Sequence, residues 1–250
     1  MAGGFVWTGF DYKGEPTPFS WPDINSNFGI MDICGFPKDI YYYYQSVWGH
    51  KPIVHIFPDW NWAGKKGKKI DVWAFSNGDS VQLFLNGKSL GTKKMPKYEH
   101  IEWHVPYEPG ILKAISYRNG KPIATDVVRT TGKPYALRVS YEPVTLHANG
   151  EDCAMLDVSV VDKNGNVVPY ASNFIHFYAT GAGKIAGVGN GDPSCHEPDV
   201  ATKRTAFHGL CLGILKAGEH PGWVKVKIES DGLKSTSVEF QVHRSNVSQR

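Results

Sequence analysis

The chain lacks long apolar runs and a strong charge of either sign. No stretch reaches the roughly 18 to 20 apolar residues that a membrane-spanning helix needs, so no spanning helix is expected. Lysine and arginine number 27 and aspartate and glutamate 24, which leaves a formal net charge of +3. The densest basic run, Lys65 to Lys69, is interrupted by glycine and has no basic stripe beside it. We therefore expect no nucleic-acid partner.

Cysteine is also scarce, and the positions Cys34, Cys153, Cys195 and Cys211 lie far apart. No pair has the CxxC spacing of a zinc or redox motif, so neither a metal nor a cofactor is expected. Buried free thiols are the simpler interpretation. A disulfide between Cys195 and Cys211 is the alternative if the protein is exported, because both fall in one predicted domain.

Glycine and proline are abundant, at 27 and 16 of 250 residues, and they divide the chain into many short apolar runs. This texture is typical of an all-β protein. Asn86-Gly87, Asn119-Gly120 and Asn164-Gly165 have the sequence of tight hairpin turns. Alternation of apolar and polar residues predicts strands over 53–57, 69–75, 81–85, 100–105, 110–118, 123–130, 136–141, 154–161, 175–180, 206–215, 222–230 and 235–242. The glycine-rich interval 181–203 is the longest stretch predicted to be irregular.

The first 51 residues have a different pattern. An apolar run over 4–10 predicts a strand, a glycine- and proline-rich loop follows over 11–23, and 37–48 predicts a helix with Pro37 in its first turn. Ile40, Tyr44 and Val47 give this helix an aromatic-rich face that must pack on something. Met1 and Ala2 lead directly into the strand, so we expect the natural start to lie upstream.

The predicted fold is mainly β, with two immunoglobulin-like β-sandwich domains preceded by a strand, loop and helix. The predicted boundaries are 1–51 for the strand–loop–helix segment, 52–132 for the first sandwich, 133–243 for the second, and 244–250 for a frayed tail. One strand–loop–helix unit cannot form a domain by itself. In a (β/α)₈ barrel, the loops that follow the carboxyl ends of the strands are where substrate is held.

Three residues at and beyond the first strand have the chemistry of a sugar site. Trp7 offers an apolar plane to the C–H face of a sugar, and the carboxylates of Asp11 and Glu15 can accept hydrogen bonds from its hydroxyls. The alternative is a core tryptophan and a solvated acidic loop.

Several motifs together resemble glycoside hydrolase family 2, in its β-galactosidase branch. GGFVWTGFDYKGEPTP is similar to the eighth barrel strand and its loop, and FGIMDICGFPKDIYYYYQSVW to the last barrel helix with its approach. IFPDWNWAGKKGKKIDVWAFSNGDSVQLFLNGKSLG resembles the following β-sandwich, and GNGDPSCHEP with KRTAFHGLCLGIL resembles the C-terminal immunoglobulin-like domain. One departure is Asp59, where the family often has histidine.

The resemblance implies a parent enzyme that hydrolyses terminal β-galactosides with retention of configuration. Such chemistry uses two carboxyl groups about 5 to 5.5 Å apart, and in the family both are glutamates upstream of what corresponds to Gly3. Asp11, Glu15 and Asp23 lie on a loop that cannot preorganise such a pair, so we expect no catalytic residue in this chain. The resemblance implies that Trp7 faces the sugar, and Asp11 and Glu15 are further substrate-binding candidates. The implied partners are a β-galactoside, the N-terminal domains of the same protein and a further copy of the chain, in a periplasmic or extracellular bacterial protein.

Two other groups of residues have a functional and a structural interpretation. Trp60 and Trp62 alternate with polar residues and could form a carbohydrate platform, although interface or core positions are commoner for such residues. Asn190-Gly-Asp-Pro is a strong turn sequence, so turn formation is the simpler role for its loop. The residues of that loop that could instead hold a metal ion or a distal sugar are Asn190, Asp192, His196 and Glu197.

Three other functions remain open at this point. A carbohydrate-binding module would use exposed tryptophans without chemistry, and a structural or adhesive tandem of immunoglobulin-like domains would bind no sugar. The third function is that of a β-glucuronidase or β-mannosidase, because substrate specificity depends largely on barrel loops that are not in this sequence.

Overall fold

The computed structural model describes residues 3–245. Within that range no helix is long and apolar enough to cross a membrane. Residues 246–250 of the tail predicted over 244–250 lie outside the described residues, as do Met1 and Ala2, before which we expect the natural start. The described elements are α1 (Asp39–Trp48), β1 (Val54–Phe57), β2 (Lys69–Ser76), β3 (Ser80–Leu85), β4 (Lys88–Lys94), β5 (Ile101–Pro106), β6 (Ile111–Arg118), β7 (Lys121–Arg129), β8 (Ala136–Ser140), β9 (Leu146–His147), β10 (Cys153–Val161), β11 (Phe174–Gly181), β12 (Gly183–Gly189), β13 (Lys203–Thr205), β14 (Leu210–Ala217), β15 (Gly222–Glu229) and β16 (Thr236–His243).

The chain divides into two compact units that are each discontinuous in sequence. The first consists of the described part of Met1–Gly9 together with Ile30–Thr131, and the second of Phe10–Gly29 together with the described part of Gly132–Arg250. Residues 10–29 therefore belong to the same unit as the immunoglobulin-like strands. We call residues 10–29 the rim segment.

The first unit contains two antiparallel sheets, with strand orders β1-β2-β5 and β4-β3-β6-β7. Strand β2 buries Ile70, Val72 and Ala74 at alternate positions, as the period-two pattern predicts. These side chains share one core with Leu83 and Leu112 of the second sheet. The predicted first sandwich is therefore confirmed.

Its two Asn-Gly hairpins are also confirmed. Asn86 and Gly87 have φ angles of 50° and 82°, and Asn119 and Gly120 have 51° and 73°. Positive φ at both central residues matches the right-handed twist of the paired strands. Each turn accordingly joins an antiparallel pair, β3 with β4 and β6 with β7.

Helix α1 packs on the β1-β2-β5 sheet through tyrosines. The Tyr42 ring stacks on His55 at a centroid distance of 3.9 Å, and Tyr43 meets Phe75 edge-on at 5.3 Å. The predicted contact face of the helix is only partly right, because Ile40 is 41% exposed. The Tyr43 hydroxyl donates a hydrogen bond to the Tyr98 carbonyl.

The second unit is a sandwich of two sheets, with orders β12-β14-β10-β8 and β13-β11-β15-β16-β9. All pairs are antiparallel except β16 with β9. Leu156 and Leu215 from the first sheet share a core with Ile175, Phe177 and Val226 from the second. The mainly β fold class with immunoglobulin-like sandwiches is thereby confirmed.

Strand predictions were wrong at several places, and the short strands β9 and β13 were not predicted. The strand predicted over 4–10 is not formed at residues 4–9. Strand β12 lies inside the interval predicted to be irregular, since its glycines hide the alternation while its backbone pairs with β14. Strand β14 starts at Leu210, not at residue 206, because His208 and Gly209 form a turn with φ angles of 50° and 74°.

None of the four cysteines, all within the described residues, forms a disulfide, as the simpler interpretation predicts, but they are not all buried. Cys195 is a free thiol, so no disulfide joins it to Cys211. Its sulfur instead accepts a hydrogen bond from Arg204 Nη1 at 3.0 Å. Of the four cysteines Cys211 alone is buried, so burial was predicted correctly only there.

Candidate functional site

The rim segment folds back on itself. Gly14 N donates to the Ile24 carbonyl at 2.7 Å, and Ser26 N donates to the Tyr12 carbonyl at 2.8 Å. A single antiparallel bridge joins Lys13 to Asn25. The two arms of the segment are thus paired, and residues 14–23 project between them as a tip.

Asp11 closes the base of this fold. Its side chain is only 7% exposed, and Oδ1 accepts a hydrogen bond from Gly29 N at 2.8 Å. A buried carboxylate oxygen needs a hydrogen-bond donor, and a backbone N–H can supply it. Asp11 therefore joins the two ends of the rim segment, which corrects the expectation that its carboxylate faces a sugar.

Glu15 and Trp7 remain accessible. Glu15 is exposed on the tip with a φ of +54°, and its Oε2 accepts a hydrogen bond from the Tyr12 hydroxyl. The indole of Trp7, in the first unit, is 75% exposed. Both side chains can meet a ligand, as the sequence predicts for a sugar-binding role.

The rim segment lies on a loop of the immunoglobulin-like domain, residues 190–202, which we call the anchor loop. The Pro193 carbonyl accepts hydrogen bonds from Ile24 N at 2.9 Å and Asn25 N at 3.3 Å. His196 Nε2 donates to the Pro22 carbonyl at 2.8 Å, and its ring contacts Trp21 at a centroid distance of 4.4 Å. These contacts fix the returning arm of the segment.

The outgoing arm is fixed by an ion pair. Lys13 Nζ lies 3.1 Å from Asp199 Oδ2, and the other oxygen of Asp199 accepts from Arg204 Nη2 at 2.6 Å. Burial by itself would raise the pKa of Asp199, but the hydrogen bonds from Lys13 and Arg204 outweigh it and lower the pKa. Asp199 is therefore charged at neutral pH and joins the rim segment to the anchor loop.

Arg204 holds the anchor loop in shape from beneath. Its side chain is 2% exposed, and its guanidinium donates to the carbonyls of Val188, Glu197 and Pro198 at 3.1 to 3.2 Å. Burial by itself would lower the pKa of Arg204, but the hydrogen bonds to Cys195 and Asp199 together raise it by more. The net shift of the pKa is therefore upward. A buried cation with so many acceptors fixes the path of the backbone around it.

The predicted metal or distal-sugar residues serve this loop. Asn190 Nδ2 donates to the Thr205 carbonyl at 2.8 Å, and Asp192 Oδ1 accepts from Ser194 N and Oγ at 2.8 and 2.7 Å. Glu197 accepts from the backbone N and the hydroxyl of Thr205. These contacts agree with turn formation as the role of the loop, and the metal and distal-sugar interpretations stay predictions. Among the described residues 3–245, the one cluster with metal-compatible spacing is Asp71, Glu102 and His104 in the first unit, where Asp71 and His104 are exposed.

Trp60 lies in the core, which is the interpretation that the sequence favours over a carbohydrate platform. This residue is 0% exposed in the core of the first unit, and its Nε1 donates to the Glu108 carbonyl at 2.9 Å. Trp62 packs against the same core and donates to the Asp59 carbonyl at 3.0 Å. Both lie in a loop rather than on a strand face, so the core interpretation is the correct one.

Sequence reasoning missed Lys13, Pro193, Asp199 and Arg204. Arg204 carries a weak signal, because it occupies the inward position of the short strand β13, where an apolar residue is expected. The other three have none, since a backbone carbonyl and two surface charges have no pattern of their own.

Comparison with known proteins agrees with the fold. The family model for glycoside hydrolase family 2 C-terminal domain 5 matches residues 137–239, and the model of a domain of unknown function, DUF4982, matches residues 67–124. Over 236 residues the chain is 44% identical to Beta-galactosidase BoGH2A of Bacteroides ovatus, covering 94% of this chain and 28% of the relative. It is 36% identical over 233 residues to a putative beta-glucuronidase of Formosa agariphila, covering 88% of this chain and 22% of that relative.

A solved structure matches as well. A beta-glycosidase from Bacteroides vulgatus superposes with a TM-score of 0.90 at 36% identity, over 94% of this chain and 30% of that protein. The fold and these matches define a pair of accessory β-sandwich domains with an attached loop and helix. The chain belongs to glycoside hydrolase family 2 and corresponds to a C-terminal part of a protein of that family. It spans about a quarter of the curated relatives named here.

Proposed function

We propose that this chain is the C-terminal part of a retaining β-galactosidase. In this assignment residues 1–51 complete a catalytic barrel, and the sandwiches over 52–132 and 133–243 support it. The observation that carries the proposal is the 44% identity over 94% of the chain to a protein named as a β-galactosidase. The two carboxyl groups that retention requires would come from the barrel that precedes Gly3.

The substrate contact proposed within this chain is Trp7. An indole that is 75% exposed has a large apolar face available for the C–H side of a sugar ring. Glu15 is the second candidate, because its exposed carboxylate can accept hydrogen bonds from sugar hydroxyls. Neither residue is assigned a role in bond cleavage.

The test uses the whole enzyme that carries this chain, and the 250-residue chain alone. The whole enzyme should hydrolyse a nitrophenyl β-galactoside and the chain alone should not. Trp7→Ala should lower kcat/KM about fivefold, since a lost aromatic contact is worth about 1 kcal/mol. The matched control is Trp223→Ala, a tryptophan in the second unit with 63% exposure and no proposed substrate role. Activity of the isolated chain that disappears in Glu15→Gln would refute the assignment.

A β-glucuronidase is the second candidate, favoured by the 36% identical relative named as a putative beta-glucuronidase. The two candidates differ in the group at C6, which is a hydroxymethyl in a galactoside and a carboxylate in a glucuronide. Parallel assays with the two nitrophenyl glycosides separate them. A kcat/KM at least tenfold higher for the glucuronide would replace the galactosidase assignment.

A further inference from the structure

We propose that the immunoglobulin-like domain positions the rim segment for substrate, and that His196, Asp199 and Arg204 are positioning residues of the glycosidase. The inference rests on the proposed function, because it takes the rim segment to border the sugar site. It adds a role for a domain that supplies neither acid nor nucleophile to the reaction.

The attachments bracket the tip of the rim segment. Lys13 is held on the outgoing arm by Asp199, and Pro22, Ile24 and Asn25 are held on the returning arm by His196 and Pro193. Between them the tip carries Glu15 and further exposed side chains. A loop fixed at both arms loses most of its conformational freedom before a ligand arrives, which lowers the cost of binding.

The anchor loop is itself rigid because Arg204 is buried beneath it. A buried guanidinium must keep its hydrogen bonds, since leaving it unpaired is strongly unfavourable. Its acceptors come from Val188 to Asp199, so the backbone that presents Pro193 and His196 cannot shift without breaking them. Arg204 thus acts on the rim segment through the anchor loop and contacts no substrate.

Changes in the anchor loop should affect substrate binding and bond cleavage to different extents. The catalytic carboxyls would lie on the barrel, so loosening the rim segment should weaken substrate binding and leave the bond-breaking step intact. We expect a rise in KM of about three- to tenfold for His196→Ala and for Asp199→Ala, with kcat within about twofold. In His196→Gln the amide can still donate to the Pro22 carbonyl, and KM should return toward the wild-type value.

The first measurement is hydrogen–deuterium exchange of the 250-residue chain. The amides of Gly14 and Ser26, hydrogen-bonded between the two arms, and the amide of Ile24, hydrogen-bonded to the Pro193 carbonyl, should exchange faster in His196→Ala and in Asp199→Ala. Glu239→Gln is the matched control, because it removes a surface ion pair with Lys225 on strands β15 and β16. Unchanged exchange in both alanine variants would overturn the inference, whatever the enzyme hydrolyses.

The second measurement is steady-state kinetics of the whole enzyme with the glycoside that it cleaves. Faster exchange together with raised KM and nearly unchanged kcat supports the proposal, and recovery in His196→Gln supports it further. Faster exchange without any change in KM would overturn it. A wild-type enzyme that cleaves no glycoside would instead defeat the proposed function, which distinguishes the two failures.

Discussion

Arg204 Nη2 donates to Asp199 Oδ1 at 2.6 Å, although the arginine side chain is 2% exposed and the aspartate side chain 56% exposed. The pair thus runs from the interior of the second unit to its surface. On the outer side Asp199 meets Lys13, so one carboxylate connects a buried cation to the rim segment. The stability of this connection depends on the charge of Asp199.

Stability of the second unit should therefore fall at low pH in a way that requires Asp199. Its pKa in the folded state lies below the usual 3.8, so its contribution is complete above that value and is lost as pH falls through the lowered pKa. Urea unfolding of the chain and of Asp199→Asn, followed from neutral pH to about pH 3, tests this. The wild type should be the more stable at neutral pH, and the two should converge on acidification. A difference that stays constant with pH would contradict the assignment.

Asp162 should be a strong determinant of stability. It is 2% exposed, Oδ1 accepts from Asn164 N and Asn166 N, and Oδ2 accepts from Gly132 N at 2.9 Å. Asp162→Ala would remove the acceptor of three partly buried hydrogen bonds and should cost about 1 to 3 kcal/mol in free energy of unfolding.

Denaturant titration of three variants checks the role of Asp162. Asp162→Asn keeps one oxygen acceptor and should fall between alanine and wild type. Asp231→Ala, in an exposed turn, should stay within about 0.5 kcal/mol of wild type. Equal stability of the alanine and wild-type proteins would contradict the role given to Asp162.

Gly213 on strand β14 should tolerate no side chain. A Cβ there would lie 2.4 Å from Cε1 of Phe177, which is 1% exposed in the core. Gly213→Ala must displace that ring and should destabilise the chain by about 1 to 3 kcal/mol. Gly4→Ala is the control, because nothing lies within 4 Å of the added carbon. Thermal unfolding that shows the same loss in both variants would contradict the packing argument.

Trp60 and Trp7 should respond to substitution in opposite ways. Trp60→Ala removes a buried indole and should cost about 3 to 5 kcal/mol in free energy of unfolding. Trp7→Ala should change the free energy of unfolding by less than about 0.5 kcal/mol, since its indole is largely exposed. Denaturant unfolding of the two variants measures both effects. A folded, fully stable Trp60→Ala that loses galactan binding in calorimetry would restore the platform interpretation.

Local patterns predicted most of the fold because they act over few residues. Val81, Leu83 and Leu85 fix the face of β3, and the positive φ angles of Asn86 and Gly87 fix its turn, all within seven positions. The same reasoning failed for β12, where pairing with β14 rather than side-chain alternation forms the strand. It also left Trp60 with two interpretations, because its burial depends on contacts with Tyr107 and Glu108 from a distant part of the chain.

The sequence by itself determined that this chain is a turn-rich β protein of glycoside hydrolase family 2, because strand alternation, Asn-Gly turns and family motifs are local. Only the tertiary structure decided that the rim segment belongs with the immunoglobulin-like domain. The bond from His196 to the Pro22 carbonyl joins residues 174 positions apart. No local pattern encodes such a contact, because it exists only once two sheets have packed and the buried charge of Arg204 has fixed the loop between them.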